Sequence, residues 1–344
     1  MAGTLVISVD APPRPGGVAA TAHHLCNALA DADGACVMLG PRGSVEPREL
    51  DRRYGLVEDW ESRVDIREGP WADAQDRRIA ALVETALHRH GLDRILLAHC
   101  FYYGPGALLA ARRAGVEAAA FAHGLEISSQ LGGLGARPDT DGAARRRPDS
   151  LAARLKATLD GVDRLFANSR ATAALLRRVE AAAPTTVCGV GLCPETFRRE
   201  CAESPDVEPE TRAARRRALG VEHGPLIVSV GRLVRHKRID RVFDLLRRLP
   251  SATAAILGDG PERAALEAAA AAKDVAGRTR FLGPVSEETK WSWLRAADFH
   301  ALFSEPDPAT GAYEGFGIAL LEGCAAGSVA LGSGADGTAE FLVE

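Results

Sequence analysis

Apolar runs of four to seven residues alternate with amphipathic stretches from the first residues of the chain. Leu5 to Val9 predicts an opening strand, which Pro12-Pro-Arg-Pro-Gly-Gly17 breaks. Val18, Ala22, Leu25, Cys26 and Leu29 then share one helical face. Further strands are predicted at Ala35 to Leu39, Ile95 to His99, Ala118 to Ala122 and Leu165 to Ala167, with helices around 76–90, 105–114, 150–160 and 170–182. The charged segment 198–218 predicts a helix with an exposed face. The pattern restarts at Leu226-Ile-Val-Ser-Val230 and runs into an amphipathic helix ending near Leu249. It continues through a strand at Ala254 to Leu257 and an apolar run from Asp298 to Ser304. Short strands interleaved with helices in this way are the sequence mark of a parallel sheet covered by helices. The expected class is α/β, and no repeat of solenoid period is visible.

At 344 residues the chain is too long for one compact core and fits two doubly wound domains. The restart divides it into 1–188, a linker at 189–222, and 223–344. An apolar fraction of 46% and a charged fraction of 26% are ordinary for a globular protein, and a net charge of −4 offers nucleic acid no global attraction. The seven cysteines (26, 36, 100, 188, 193, 201 and 324) are odd in number, scattered and without a C-x-x-C pair. Neither a disulfide framework nor a zinc site is indicated, and a reducing, cytoplasmic compartment is expected. Met1 to Asp10 lacks a positive n-region, and no run approaches the roughly 20 apolar residues of a membrane-spanning helix. Any membrane contact is expected to be peripheral, at the inner face. Residues 132–150, rich in Gly, Pro, Asp and Arg around Arg145-Arg-Arg147, read either as a solvated loop or as a basic surface for an anionic acceptor or lipid headgroups.

Candidate chemistry gathers where strands end. In Gly311-Ala-Tyr-Glu-Gly-Phe-Gly-Ile-Ala-Leu-Leu-Glu322 the apolar residues Ile318 and Leu321 recur with Ala325 at helical spacing, so a helix is expected to begin near Gly315. Glu314 would stand at its mouth and Glu322 roughly 12 Å further along. Two carboxylates so far apart cannot hold one atom. They suit two ends of an elongated ligand, with the N–H groups of Gly315, Phe316 and Gly317 at the positive helix end for an oxygen-rich group. A nucleotide sugar has that shape. After strand 226–230, Arg232 and Lys237 flank a loop that opens a helix, an arrangement suited to a pyrophosphate. Arg232 would act as a fork and Lys237 as a mobile point charge. Arg235, His236 and Arg238 read as solvated. Gly16 and Gly17, past the first strand, would let a phosphate or acceptor approach their amides. His123 ends the strand at 118–122 and precedes Gly124, which places it to face an inter-domain cleft. His23, His24, His88, His90 and His99 read as solvated or internally satisfied. Gly258-Asp-Gly-Pro-Glu262 has a superficial dinucleotide form, but Arg263 stands where a third glycine belongs, which disfavours NAD.

Glu314-Gly-Phe-Gly with Glu322, set between strand and helix, resembles the E-G-F-G-x-x-x-x-E signature of retaining GT-B glycosyltransferases of the family-4 type. Gly231-Arg-Leu with Lys237 matches that family's G-R-L-x-x-x-K. The resemblance implies two Rossmann-like domains facing a cleft, and an enzyme without metal or cofactor whose co-substrate is a nucleoside-diphosphate sugar. It implies that Glu314, the amides of Gly315, Phe316 and Gly317, and His123 hold the donor sugar, and that Glu322 holds the ribose. It further implies that Arg232 and Lys237 bind the diphosphate and stabilise it as it leaves, while backbone around Pro284 and Val285 faces the base. Gly16 and Gly17 match the family's Gly-Gly loop. Asn168-Ser-Arg170 matches its N-S turn, with a structural role only.

The expected catalytic set is thus His123, Arg232, Lys237 and Glu314. The expected reaction is retaining transfer of a hexose-type sugar to a small-molecule or lipid-linked acceptor, with sugar, base, acceptor and oligomeric state unspecified. Asp31-Ala-Asp33 and Asp139-Thr-Asp141 have the D-x-D form of metal pairs in the other glycosyltransferase fold, but neither follows a strand. Two departures from the family stand out. Gly189-Val-Gly-Leu replaces an Asn-Gly-Val-Asp-like turn, and family members continue for several dozen residues past the position of Glu344, so their crossover helices are expected to be missing. A GT-B sugar-nucleotide epimerase and a binding protein that keeps the donor pocket without turnover are the alternatives.

Overall fold

The computed structural model of the protein describes residues 3–8, 17–40, 55–57, 73–100, 103–130, 151–192, 209–221, 223–308 and 310–342. Two compact units result, Met1–Val190 with Pro308–Gly311, and Gly191–Asp307 with Ala312–Glu344.

The first unit holds strands β1 (Thr4–Ile7), β2 (Cys36–Leu39), β3 (Gly55–Val57), β4 (Arg94–Leu97), β5 (Glu117–Ala122), β6 (Arg164–Ala167) and β7 (Thr185–Val187). They form one sheet in the order β3-β2-β1-β4-β5-β6-β7, and every pairing is parallel. Helices α1 (Gly17–Asp33), α2 (Asp73–His90), α3 (Gly104–Ala114), α4 (Leu125–Gln130), α5 (Leu151–Gly161) and α6 (Arg170–Arg178) lie between them in sequence. All four residues of β1 and of β2 are buried, as a strand covered on both faces requires. Ser169 caps α6 by accepting from Thr172 N at 2.9 Å, which is why the chain turns from β6 into a helix there. Three elements carry no signal in the hydrophobic pattern. β3 has three residues, α4 has six, and all of β7 is exposed, so none presents an apolar period.

The second unit opens with α7 (Pro209–Ala218), the described part of the segment read as a helix over 198–218. It continues through β8 (Leu226–Val230), α8 (Asp240–Arg248), β9 (Thr253–Leu257), α9 (Arg263–Ala272), β10 (Thr279–Gly283), α10 (Glu287–Ala296), β11 (Phe299–Leu302), α11 (Ile318–Ala325) and β12 (Val329–Gly332). Its sheet, β10-β9-β8-β11-β12, is again wholly parallel. Successive residues feed opposite cores. Ile227, Ala254 and Ile256 cluster with Val242, Phe243 and Leu246 of α8. Leu226, Val228, Ala255 and Leu257 cluster with Trp291, Trp293 and Leu294 of α10. This two-residue alternation is the pleat of the strand dividing its apolar side chains between faces, each fully buried Leu or Ile contributing about 1.5–3 kcal/mol over exposure. Arg216 anchors α7 by pairing with Asp298, whose carboxylate also accepts from Leu226 N at 2.8 Å.

In both sheets the strand order reverses beside the first strand, between β1 and β4 and between β8 and β11. Loops leaving the carboxyl ends of such a pair diverge, and the crevice they leave is where open α/β sheets bind ligands. The loop after β8 passes tightly over the loop after β9. Gly258 has φ 126°, and a Cβ there would lie 2.1 Å from Gly231 O. Gly258→Ala is therefore expected to destabilise the second unit by at least about 1–3 kcal/mol. Urea unfolding followed by circular dichroism should show a lower midpoint, and an unchanged midpoint would contradict this crowding.

Candidate functional site

Because β8 and β11 are neighbours, the loops that follow them emerge side by side. Lys237, closing a 3₁₀ turn over Arg235–Lys237, brings its Nζ to 3.0 Å from Glu314 Oε2. The two side chains are only 17% and 19% exposed, so each charge depends on the other. The loops are also joined through backbone, Glu305 N donating to His236 O at 2.8 Å. Arg232 is exposed and has no ion pair among the described residues. The reading of Arg238 and His236 as solvated is corrected. Arg238 takes the left-handed φ of 47°, bonds Asp240 at 3.1 Å and pairs with Glu305, which Arg241 also grips. These contacts brace the turn that carries Lys237. His236 is half-buried, and burial first, then the charge of Lys237, lowers its pKa against the opposing pull of Glu314 and Asp307. Arg235 is exposed, as expected.

The helix expected from Gly315 begins instead at Ile318. Gly317 stands in the left-handed region at φ 92°, which a right-handed helix cannot include, so Gly317 O is the first acceptor, taking Leu320 N at 2.8 Å. Gly315 and Phe316 therefore belong to a turn ahead of the helix. Asp336 holds that turn. Its carboxylate accepts from Glu314 N at 3.3 Å, Thr338 N at 3.1 Å, Thr338 Oγ1 at 3.0 Å and Ser304 Oγ at 3.2 Å. Gly337 N adds a bond to Glu314 O at 2.9 Å. Burial raises the pKa of Asp336, the bonds from Thr338 and Ser304 act against this, and the charge of Glu314 adds to the rise. The Phe316 ring is buried, meeting Phe341 edge-on at a centroid distance of 4.9 Å, so only its backbone is placed to meet a ligand.

Glu322 lies in the second turn of α11, where Lys290 of α10 reaches its Oε1 at 2.7 Å. Lys290 also contacts Glu287 at 2.8 Å. Burial works to lower the pKa of Lys290, but Glu322 and Glu287 outweigh it and the ammonium is held above its ordinary range. Burial raises Glu322, with Lys290 pulling it back. His300, fully buried in β11, has no hydrogen bond of ordinary geometry at either ring nitrogen. Burial lowers its pKa to about 3, the backbone of Ala319 opposing and the charges of Lys237 and Lys290 assisting. Val285 is half-buried against the α10 core, and Pro284 is exposed. Lys290, His300 and Asp336 are absent from the sequence reading. A lysine immediately before Trp291, on a helix with an apolar face, is the one signal that could have flagged Lys290.

In the first unit His123 follows β5 and is held at three points. Its Nε2 bonds Ala98 O at 2.8 Å, its N–H donates to Glu126 Oε1 at 2.8 Å, and its carbonyl accepts from Asn168 Nδ2 at 3.2 Å. A carbonyl partner places the proton on Nε2. Glu126 is buried and missed by the sequence reading, whereas Asn168 and Ser169 have the structural parts expected of them. Gly17 is the exposed first residue of α1. Gly16, Asp139, Asp141 and Arg145-Arg-Arg147 lie outside the described residues. Among the described residues, no group of three or more His, Cys, Asp or Glu is placed to hold a metal ion, and no helix is long and apolar enough to cross a membrane.

Two Rossmann-like units, with carboxylate and cation loops at the carboxyl ends of adjacent parallel strands in the second, define a fold of the GT-B glycosyltransferase class. The Glycosyltransferase Family 4 model matches residues 15–191, and the Glycosyl transferases group 1 model matches residues 211–344. The chain belongs to glycosyltransferase family 4. It is 30% identical over 34% of its length to the lipopolysaccharide core biosynthesis glycosyltransferase LpsE of Rhizobium meliloti, and 37% identical over 29% of its length to the phosphatidyl-myo-inositol mannosyltransferase of Mycolicibacterium smegmatis. Those matches span 32% and 24% of the two relatives. The crystal structure of Anabaena HepE in complex with UDP and glucose superimposes with a TM-score of 0.69 at 18% identity, covering 100% of this chain and 84% of that one.

His300 makes stability acid-sensitive. Its folded pKa lies near 3 and its ordinary value at 6.5, so unfolding takes up a proton between them. The contribution is complete above about pH 6.5 and falls away toward pH 3, by up to about 1.4 kcal/mol per pH unit. His300→Leu is expected to flatten this limb. Urea midpoints measured from pH 7 down to pH 4 check it, and a limb as steep as the parent's would rule His300 out as its source.

Proposed function

We propose that the protein transfers a hexose-type sugar from a nucleoside diphosphate to a small-molecule or lipid-linked acceptor, with retention of anomeric configuration and without a metal ion. The observation that carries this reading is the meeting of Lys237 and Glu314 at the switch between β8 and β11. A cation for phosphate and a carboxylate for sugar hydroxyls converge there, with Glu322 further along α11 for the pentose. Binding the donor exchanges the Lys237–Glu314 pair for one between Lys237 and phosphate, and between Glu314 and the sugar. As the glycosidic bond breaks, negative charge grows on the diphosphate, and Arg232 and Lys237 stabilise it electrostatically. The Asp336 bonds keep the Glu314 turn in place during that step, so little reorganisation is needed. The acceptor hydroxyl attacks from the face the diphosphate leaves, and a phosphate oxygen takes its proton. No side chain needs to become a covalent nucleophile. His123 remains the first unit's proposed catalytic residue, and Gly16 and Gly17 its proposed loop for phosphate or acceptor.

The names of the matched relatives support a sugar transfer, and those naming lipopolysaccharide and phosphatidylinositol support a lipid-linked acceptor. The HepE complex supports a nucleoside-diphosphate hexose as donor. Lys237→Ala and Glu322→Ala are each expected to weaken nucleotide binding severalfold or more in calorimetry with UDP, GDP and ADP, and unchanged affinity in both variants would defeat the donor-site assignment. Activity, followed as diphosphate released from a panel of nucleotide sugars with candidate acceptors, is expected to survive a chelator. Loss that Mg²⁺ restores would contradict the metal-free mechanism. The anomeric configuration of the product, read by NMR, tests retention.

A further inference from the structure

Lys290 is a largely buried cation of the second unit that the proposed reaction leaves unused. Its side chain is 12% exposed and that of Glu322 16%, with Nζ 2.7 Å from Oε1. Its other carboxylate partner, Glu287, is 72% exposed. The ammonium also lies 5.6 Å from the centroid of the Trp291 ring. A lysine with so flexible a stem ordinarily keeps its head in water, yet here the head is turned inward to one oxygen of Glu322. The charged groups that act on Glu322 are Lys290 and Glu287, both of α10, and His300, which Lys290 also influences, is kept neutral by burial. Lys290 is therefore the positive charge that offsets the burial of this carboxylate. A protonated carboxyl has lost its charge and part of its accepting capacity, and it receives hydroxyl groups more weakly than a carboxylate does.

We propose that Lys290 is a positioning residue of the nucleotide site: through Oε1 it holds Glu322 ionised and oriented, so that Glu322 accepts hydrogen bonds from the vicinal diol of the donor's pentose. The proposal rests on the donor-site reading above. Lys290 touches no reacting atom and acts through Glu322 alone.

The test is calorimetric titration of the full chain with UDP, GDP and ADP between about pH 8 and about pH 5.5, comparing wild type, Lys290→Met, Lys290→Arg, Glu322→Gln and the double variant Lys290→Met/Glu322→Gln. Affinities are taken relative to wild type at each pH, which cancels protonation of the diphosphate itself. Lys290→Met is expected to bind about tenfold more weakly near pH 7 and severalfold more weakly again at the acid end, while Lys290→Arg stays within about twofold of wild type throughout. In the double variant binding stays weak but the acid dependence disappears, because the group that titrates is gone. Binding by Lys290→Met equal to wild type at every pH, with Glu322→Gln weakened, would overturn the proposal and leave the donor site standing. A weakening in Lys290→Met with no pH dependence would also overturn it, since that is the mark of a merely structural lysine. If Lys290→Met does not fold, Lys290→Gln takes its place in the same comparison, and the same outcomes support or overturn the proposal. Failure of wild type to bind any of the three nucleotides removes the donor-site reading itself.

Discussion

The pairing of β8 with β11 is the constraint on which the second unit's chemistry depends. Two parallel strands lie side by side, one leading to Lys237 and the other to Glu314, and their sequence neighbours depart in opposite directions across the sheet. The loops have nowhere to go but past each other, and the opposite charges they carry meet at 3.0 Å. Two like charges in this position would push the loops apart. The opposite pair draws them together, and Glu305, His236 and Asp336 add hydrogen bonds that hold the geometry once it forms.

Electrostatics at this end of the sheet works by pairing. Lys237 answers Glu314 and Lys290 answers Glu322, each with less than a fifth of the side chain in water. Burying any one of these charges alone would cost several kcal/mol, so removal of one partner penalises the other more than the pair stabilises the fold. His300 lies within the reach of both lysines and stays neutral for that reason as well as through burial. Each pair leaves both of its charges balanced without a ligand, so neither the cation nor the carboxylate is buried alone.

Most of the architecture is legible in the sequence because parallel strands buried on both faces leave continuous apolar runs. Leu5 to Ile7, Leu226 to Val228 and the helix ending near Leu249 read directly. β3 and β7 do not, being too short or too exposed to leave a period. The onset of α11 is misread because Ile318, Leu321 and Ala325 show where a helix runs but not where it starts. The left-handed backbone at Gly317 sets the start, and glycine itself is silent about which of its conformations it takes.

The candidate site divides in the same way. By itself the sequence determines the residue types in the loops after β8 and β11 and on the helix that follows, Arg232, Lys237, Glu314 and Glu322 among them, and the resemblance to glycosyltransferases of the family-4 type that those spacings carry. Only the tertiary structure decides that Lys237 faces Glu314, that Asp336 clasps the Glu314 turn from 22 residues away, and that Glu322 has Lys290 as its partner from 32 residues away. The physical reason is range. Periodicity reports which side chains share a face within one helix or strand, whereas charge pairing between elements follows from sheet order and helix packing, which local spacing does not encode.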